Sequence, residues 1–315
     1  MKFAVQIFVL SMLSACGGEA LNAPSNEPGI QAVEQTDTPD EAQVDDIDVD
    51  VNSVFEVVRT RIQWGVGESQ FGDLYMPQST QQENPTVVVI HGGCWFSAFG
   101  LEYSEDVAFA LAESGYPTWN IEYRRLGNGG EFPNMFNDIT AAINYVDVLA
   151  QNYAIDNTVI YAVGHSAGGH LALWAAARAQ IDPGSDLYTQ QFLPVDGVVS
   201  LAGIGDLSAQ TACGSAAFNL LGGDTVSQDQ YNSRFANGSP QALLPTGVAA
   251  LIVSGESDSI VPTVVGQNYV DDALLVGDRV EHLIVDGAGH FDLTDPDVMD
   301  FPSLITQLEV LMANL

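Results

Sequence analysis

Gly164-His165-Ser166-Ala167-Gly168 sets one serine between two glycines in the pattern Gly-x-Ser-x-Gly. A serine hydroxyl is a weak nucleophile at neutral pH, so covalent chemistry at Ser166 needs a base, and the base needs an orienting acid. Five histidines are available: His91, His165, His170, His282 and His290. His165 occupies the variable position of the motif itself and is badly placed to turn back onto Ser166. His170 falls in the stretch that follows the motif, and His282 opens an apolar run. His290 lies in Asp286-Gly287-Ala288-Gly289-His290-Phe291, a loop of small residues just after that run, and is the expected general base. The acid is expected between serine and histidine in chain order. Asp258, in Ser254-Gly255-Glu256-Ser257-Asp258, is the favoured carboxylate, with Glu256 as near rival and Asp206 as a remote one. Asp292 follows His290 too closely to orient it.

The second requirement is a set of N–H donors for the charge that develops on an attacked carbonyl oxygen. His91-Gly92-Gly93-Cys94-Trp95 follows an apolar run directly, and its glycines let backbone amides approach a substrate. The expected donors are Gly92, Gly93 and Cys94 together with Ala167, the residue after the nucleophile. Trp95 and Phe96 either wall a substrate pocket or fill the core beneath the loop, and Phe218 and Phe291 are further pocket candidates.

These residues need elements to position them. Thr158 to Val163 reads as a buried strand before the serine, and Leu171 to Ala179 as a helix after it. Val54–Arg59 and Phe71–Met76 read as an antiparallel pair. Thr86–Ile90, Thr118–Tyr123, Val198–Ala202, Ala250–Ser254 and His282–Val285 read as further strands. Between them, Ser104 can cap a helix through Glu113, and Phe136, Ile139, Ile143, Val146 and Ala150 form one helical face. Pro302 to Met312 reads as a closing helix. Strands alternating with helices give an α/β fold, a mostly parallel, doubly wound sheet covered on both faces. The long connection at about 206–245, with Phe218, Tyr231 and Phe235, is expected to form a small cap over the site.

The four motifs, in this order, resemble those of the α/β-hydrolases, near the hormone-sensitive-lipase and arylformamidase-like branch of the esterases and lipases. The resemblance covers about residues 53–315. It implies an eight-stranded, mostly parallel sheet and covalent catalysis without metal or cofactor. Many esterases of that group carry His-Gly-Gly-Gly, and arylformamidases carry an aromatic, where Cys94 stands here. The expected activity is hydrolysis of a small-molecule carboxylic ester. The alternatives are an arylformamidase-like amide hydrolase, a small exopeptidase, or a binding module that has kept the fold without catalysis.

Eight basic residues stand against 41 acidic ones, a formal net charge of −33. That excludes electrostatic binding of nucleic acid or of an anionic membrane. Residues 1–15 read as a signal segment, with Lys2 followed by an apolar stretch too short to span a bilayer. Leu13-Ser14-Ala15-Cys16 resembles a bacterial lipobox, which implies lipidation at Cys16 and, with Gly17 following, sorting to the outer membrane of a Gram-negative cell. The anchor is then the only expected membrane contact. Residues 16–52 read as an acidic, disordered tether, and the catalytic domain as 53–315. With Cys16 lipidated, Cys94 and Cys213 remain, either as a disulfide between the donor loop and the cap or as two separate thiols.

Overall fold

In the computed structural model two alternating runs open the described chain: β1 (Val57–Gln63) and β2 (Phe71–Pro77) pair antiparallel, with Arg59 opposite Tyr75. The structure describes residues 56–78 and 84–313. The signal segment, Cys16, the tether and the domain start near Ser53 lie outside the described residues. β1 runs to Gln63, beyond the expected Arg59, because its polar residues have partners. Asp73, buried on β2, accepts from Arg59 Nε (3.1 Å) and Arg61 Nε (2.7 Å) across the ladder.

Then come β3 (Thr86–Ile90), α1 (Glu105–Glu113), β4 (Thr118–Ile121), α2 (Asn134–Asn144), α3 (Val146–Leu149), β5 (Ile160–His165) and α4 (Ala167–Ala176). They are followed by β6 (Gly197–Leu201), α5 (Ala216–Leu220), α6 (Gln228–Gly238), β7 (Ala249–Gly255), α7 (Thr263–Leu275), β8 (Val280–Val285) and α8 (Phe301–Ala313). The strands form one eight-stranded sheet in the order β1-β2-β4-β3-β5-β6-β7-β8. β2 runs against its neighbours, and every pair from β4 to β8 is parallel. This is the α/β-hydrolase sheet that the motif order implied.

Sequence explains the layering. Every residue of β3, β5, β6 and β7 is buried, as uninterrupted apolar runs require when helices cover both faces. The expected helical face is buried at Phe136, Ile139, Ile143 and Val146, but the helix breaks at Tyr145 into α2 and α3. Each such large side chain contributes about 2 kcal/mol of burial. β4 and β5 flank β3 on opposite sides, so the strand order reverses at β3. Open α/β sheets bind ligands at such a reversal, outside the carboxyl ends of the strands. The His91–Trp95 loop leaves β3 there, and the Ser166 turn leaves β5.

Candidate active site

Ser166 joins β5 to α4 with φ 56° and ψ −119°, a left-handed conformation rare for a residue with a Cβ. It costs on the order of 1–2 kcal/mol and is held from both sides. Ser166 N–H donates to Leu201 O on β6 (2.8 Å), and His170 N–H donates to Ser166 O (3.1 Å). A Cβ at Gly164 would collide with the Gly168 carbonyl, which explains why the turn is flanked by glycine. The helix begins directly after the serine, at Ala167, and so includes His170.

Asp258 and His290 meet 32 positions apart. Nδ1 of His290 donates to Asp258 Oδ2 at 2.7 Å, with both side chains buried. The other carboxylate oxygen, Oδ1, accepts the N–H groups of Ile260 (2.8 Å) and Val261 (2.9 Å). Burial pushes the Asp258 carboxyl up, but hydrogen bonds from His290 and these amides outweigh it and hold it below the ordinary carboxylate range. The rival acids do other things. Glu256 Oε2 accepts the Gly287 N–H (2.9 Å), Asp292 Oδ2 accepts the Gly289 N–H (2.7 Å), and Asp206 accepts from Ser208. Glu256 and Asp292 thus shape the histidine loop without touching the imidazole. Ser166 and His290 line one cleft of about 170 Å³. No hydrogen bond joins their side chains among the described residues; such contacts commonly tighten only with substrate bound.

The loop after β3 forms the opposite wall, and Gly92, Gly93 and Cys94 all face the cleft. Three consecutive residues have positive φ: Gly93 (113°), Cys94 (48°) and Trp95 (61°). A Cβ at Gly93 would strike Phe99, so only glycine lets the chain pass. The N–H groups of Gly92, Gly93, Cys94 and Ala167 have no partner among the described residues. His91 fixes the loop from beneath. Arg125 Nη1 lies 3.0 Å from its Nε2, and arginine can only donate, so Nε2 accepts and Nδ1 carries the proton to Gly92 O (2.8 Å). A trans peptide points its N–H opposite its carbonyl, so this bond turns the Gly93 N–H away from His91. Tyr123 OH donates to His91 O (2.8 Å) and the two rings stack. Burial, aided by Arg125, lowers the His91 pKa to about 3, so the ring is neutral and its 3.4 Å approach to Glu122 is not an ion pair. Arg125 instead pairs with the buried Glu122. Nothing in the sequence marked Tyr123, Glu122 and Arg125 as supports for this loop.

His165 has more to do than its place in the motif suggested. Its Nε2 is 3.0 Å from the backbone oxygen of His290, to which it donates, and the two rings lie 4.5 Å apart. Its main-chain oxygen and Nδ1 border Gly92 so closely that a Cβ there would meet both. One buried ring thus touches the serine turn, the histidine loop and the donor loop. Burial, then the nearby His290, lowers its pKa to about 3, so it stays neutral. His170 accepts from Trp95 Nε1 at Nδ1 (3.2 Å) and donates from Nε2 to Gly238 O (2.9 Å). His282 bonds Ser254 and Gln267.

The aromatic expectations need correction. Trp95 is fully buried against His170 and fills the core beneath the loop. Phe96 bridges to Leu126 at the surface, and Phe218 packs on Tyr231; neither lines the cleft. Phe291 does line it, as do Phe99, Tyr103, Ala212 and Ile260, which sequence reading passed over. The insertion after β6 does not roof the cleft with Phe218, Tyr231 and Phe235. It folds instead along α4, where Asn237 O accepts from Trp174 Nε1 (2.9 Å) and Gly238 O from His170. Only its first residues reach the cleft. There Cys213 forms a disulfide with Cys94 across 119 positions, with Cα atoms 5.4 Å apart, and Ala212 N–H donates to Ile260 O (2.8 Å). Among the described residues no cluster of three His, Cys, Asp or Glu side chains is placed to hold a metal ion.

With this geometry in view, the chain matches the family model described as BD-FAE over residues 72–271. Esterase LipC of Mycobacterium tuberculosis is 26% identical over 253 residues, covering 76% of this chain and 61% of that protein. Kynurenine formamidase of Salmo salar is 31% identical over 111 residues, covering 35% of this chain and 36% of that protein. The chain thus spans less than two thirds of the curated relatives it matches. A solved structure of a truncated carbohydrate esterase from gut microbiota superposes with a TM-score of 0.68 at 21% identity, covering 83% of this chain and 98% of that one. At that identity the likeness is one of fold.

Proposed function

Because the chain belongs to the BD-FAE family, we propose that it is a serine hydrolase that cleaves carboxylic esters through Ser166, His290 and Asp258. The observation that carries this reading is the 2.7 Å His290–Asp258 pair, facing the same cleft as a serine held at a left-handed turn. Asp258 bonds Nδ1, which leaves Nε2 of the neutral imidazole as the acceptor. Ser166 Oγ attacks the carbonyl carbon and its proton passes to Nε2. The carbonyl electrons move onto oxygen, held by N–H groups of Gly93 or Cys94 and of Ala167. Asp258 stabilises the imidazolium. Collapse expels the alcohol, which takes the proton from Nε2, and leaves an acyl-Ser166. Water, deprotonated by His290, then attacks the acyl group and releases the acid by the same steps. Each lost oxyanion donor lowers kcat by about 10²–10³.

A cleft of about 170 Å³ walled by Phe99, Tyr103, Ile260 and Phe291 takes a short acyl or single aryl group. Among the described residues no Asp, Glu, Lys or Arg side chain lines it, which disfavours charged substrates. A panel of nitrophenyl esters of increasing chain length is the test: activity falls beyond short chains, and no turnover of any ester contradicts the assignment. The kynurenine formamidase match favours a second reading, hydrolysis of an N-formyl anilide by the same steps. Formyl anilides in the same panel decide between the two by kcat/KM.

The Leu13–Cys16 pattern further supports a lipid anchor at Cys16 in a bacterial envelope, which confines the enzyme to the outer membrane. Cys16→Ser is expected to abolish lipid labelling and free the protein from membranes. Unchanged membrane association contradicts the anchor.

A further inference from the structure

Arginine is scarce in this chain, and its placement is informative. Arg59 and Arg61 pair with Asp73, Arg124 with Asp138, and Arg125 with Glu122. Arg234 and Arg279 donate to the carbonyls of Leu221 (3.1 Å) and Met312 (2.7 Å). Arg178 differs. It follows α4 and is 5% exposed, yet no carboxylate pairs with it among the described residues, although the chain has 41 acids. Of its five N–H donors, one is used among the described residues, from Nη1 to Thr140 Oγ1 on α2 (2.6 Å). Its Nε is buried with no partner among the described residues. Its faces are covered by Trp174, 4.6 Å to the ring centre, and Phe192, 5.5 Å.

Aromatic faces attract a cation from above and below but leave the in-plane N–H edge unpaired. A buried guanidinium without a counter-charge is costly, and an unpartnered buried donor adds about 1–3 kcal/mol. Burial accordingly lowers the Arg178 pKa to about 10, with no acidic group to offset it. A small cavity of about 10 Å³ adjoins the side chain, lined by Thr140, Ile143, Asn144, Ala175, Phe192 and Leu193. That is about one water-sized sphere. Thr140 Oγ1 already donates to Phe136 O, and Asn144 Oδ1 is occupied by the Leu193 N–H. Asn144 Nδ2 uses one of its two hydrogens on Gln191 O. The unused side-chain hydrogens at this site belong to Arg178 and Asn144, and several rim residues are only half-buried, which leaves a route in from solvent.

We propose that the Arg178 pocket is a binding site for a single halide-sized anion, chloride in physiological salt, held between α2, the end of α4 and the Phe192 loop. A monatomic anion matches the charge, the one-atom space and the unused side-chain donors together. A water molecule matches the space but leaves the charge uncompensated, and a carboxylate needs room for two oxygens. The site lies behind the helix that presents Ser166, so its occupancy ties α4 to α2 and stabilises the fold without entering the cleft.

Two measurements on the full chain test this. Crystals grown in sodium bromide, with data at the bromine edge, are expected to show an anomalous peak within hydrogen-bonding distance of Arg178 Nε. A site filled by water with no peak overturns the proposal. In solution, replacing sodium gluconate by sodium chloride at constant ionic strength is expected to raise Tm saturably, by about 3 °C at a tenfold excess over Kd. Arg178→Met keeps the apolar stem on Trp174 and is expected to lose that response. The same chloride response in the variant also overturns the site. Should Arg178→Met fail to fold, the bromide peak in the parent protein decides alone.

Discussion

Removing the Cys94–Cys213 bridge tests stability and catalysis in one pair of variants. The bond closes a loop of 119 positions. In the chain-entropy account, releasing such a loop costs about 5 kcal/mol, and measured losses on removing native bridges run at about 2–5 kcal/mol. For a domain of this size each kcal/mol lowers Tm by about 2 °C, so Cys94→Ala with Cys213→Ala is expected to melt about 4–10 °C below the parent. Catalysis falls for a second reason. Cys94 sits at φ 48° between Gly93 and Trp95, both also at positive φ, and alanine there favours a right-handed backbone by about 1 kcal/mol. Freed from its tether, the loop relaxes and its amides lose alignment. Kcat for nitrophenyl acetate is expected to fall by roughly tenfold, with KM within about threefold, since full loss of one donor costs about 10²–10³. Cys94→Gly with Cys213→Ala removes the same bridge but tolerates φ 48°. It is expected to melt as low as the alanine variant yet recover part of kcat. Parental kcat and Tm in the alanine variant refute the tether, and equal kcat in the two variants refutes the backbone argument.

Further expectations concern the neighbouring residues. Asp258→Asn is expected to lower kcat by about 10⁴ by leaving His290 in the wrong tautomer, whereas Glu256→Gln, which only loosens the Gly287 amide, costs far less. The reverse order assigns the wrong acid. His165→Phe keeps a ring beside His290 but loses the N–H to its carbonyl. It is expected to lower kcat about tenfold at little changed KM, with partial recovery in His165→Gln, and equal losses in both reduce His165 to packing. Burial lowers His91, His165 and His170 to about 3, 3 and 4, below their ordinary 6.5. The unfolded chain therefore takes up protons that the folded one refuses as pH falls below 6.5. Stability is full above that value and is lost toward pH 4, with a slope approaching about 4 kcal/mol per pH unit for three protons. Urea unfolding at pH 7, 6 and 5 measures it, and a flat profile contradicts the buried neutral rings.

What was legible in the sequence follows the range of the forces involved. Uninterrupted apolar runs mark strands covered on both faces, so β3, β5, β6 and β7 were visible within a residue or two. Gly164 and Gly168 mark a turn too tight for a Cβ. Trp95 was ambiguous because its side chain direction depends on φ 61°, a conformation that no propensity reveals. Phe218 looked like a pocket residue because its partner Tyr231 lies a helix away. The work of His165 was hidden because its acceptor, His290 O, is 125 positions on. α7 went unread because its apolar residues make only a weak stripe. That Arg178 meets no carboxylate among the described residues is likewise a three-dimensional fact, since the sequence around it gives no sign of it.

The central claim is that Ser166 is a nucleophile activated by His290. Incubation with a fluorophosphonate, followed by peptide mass spectrometry, tests it most directly. One covalent adduct per chain is expected, on the peptide carrying Gly164–Gly168 and assigned to Ser166, with none in Ser166→Ala and a labelling rate strongly reduced in folded His290→Ala. An adduct on another residue, or undiminished labelling of Ser166→Ala, contradicts the account.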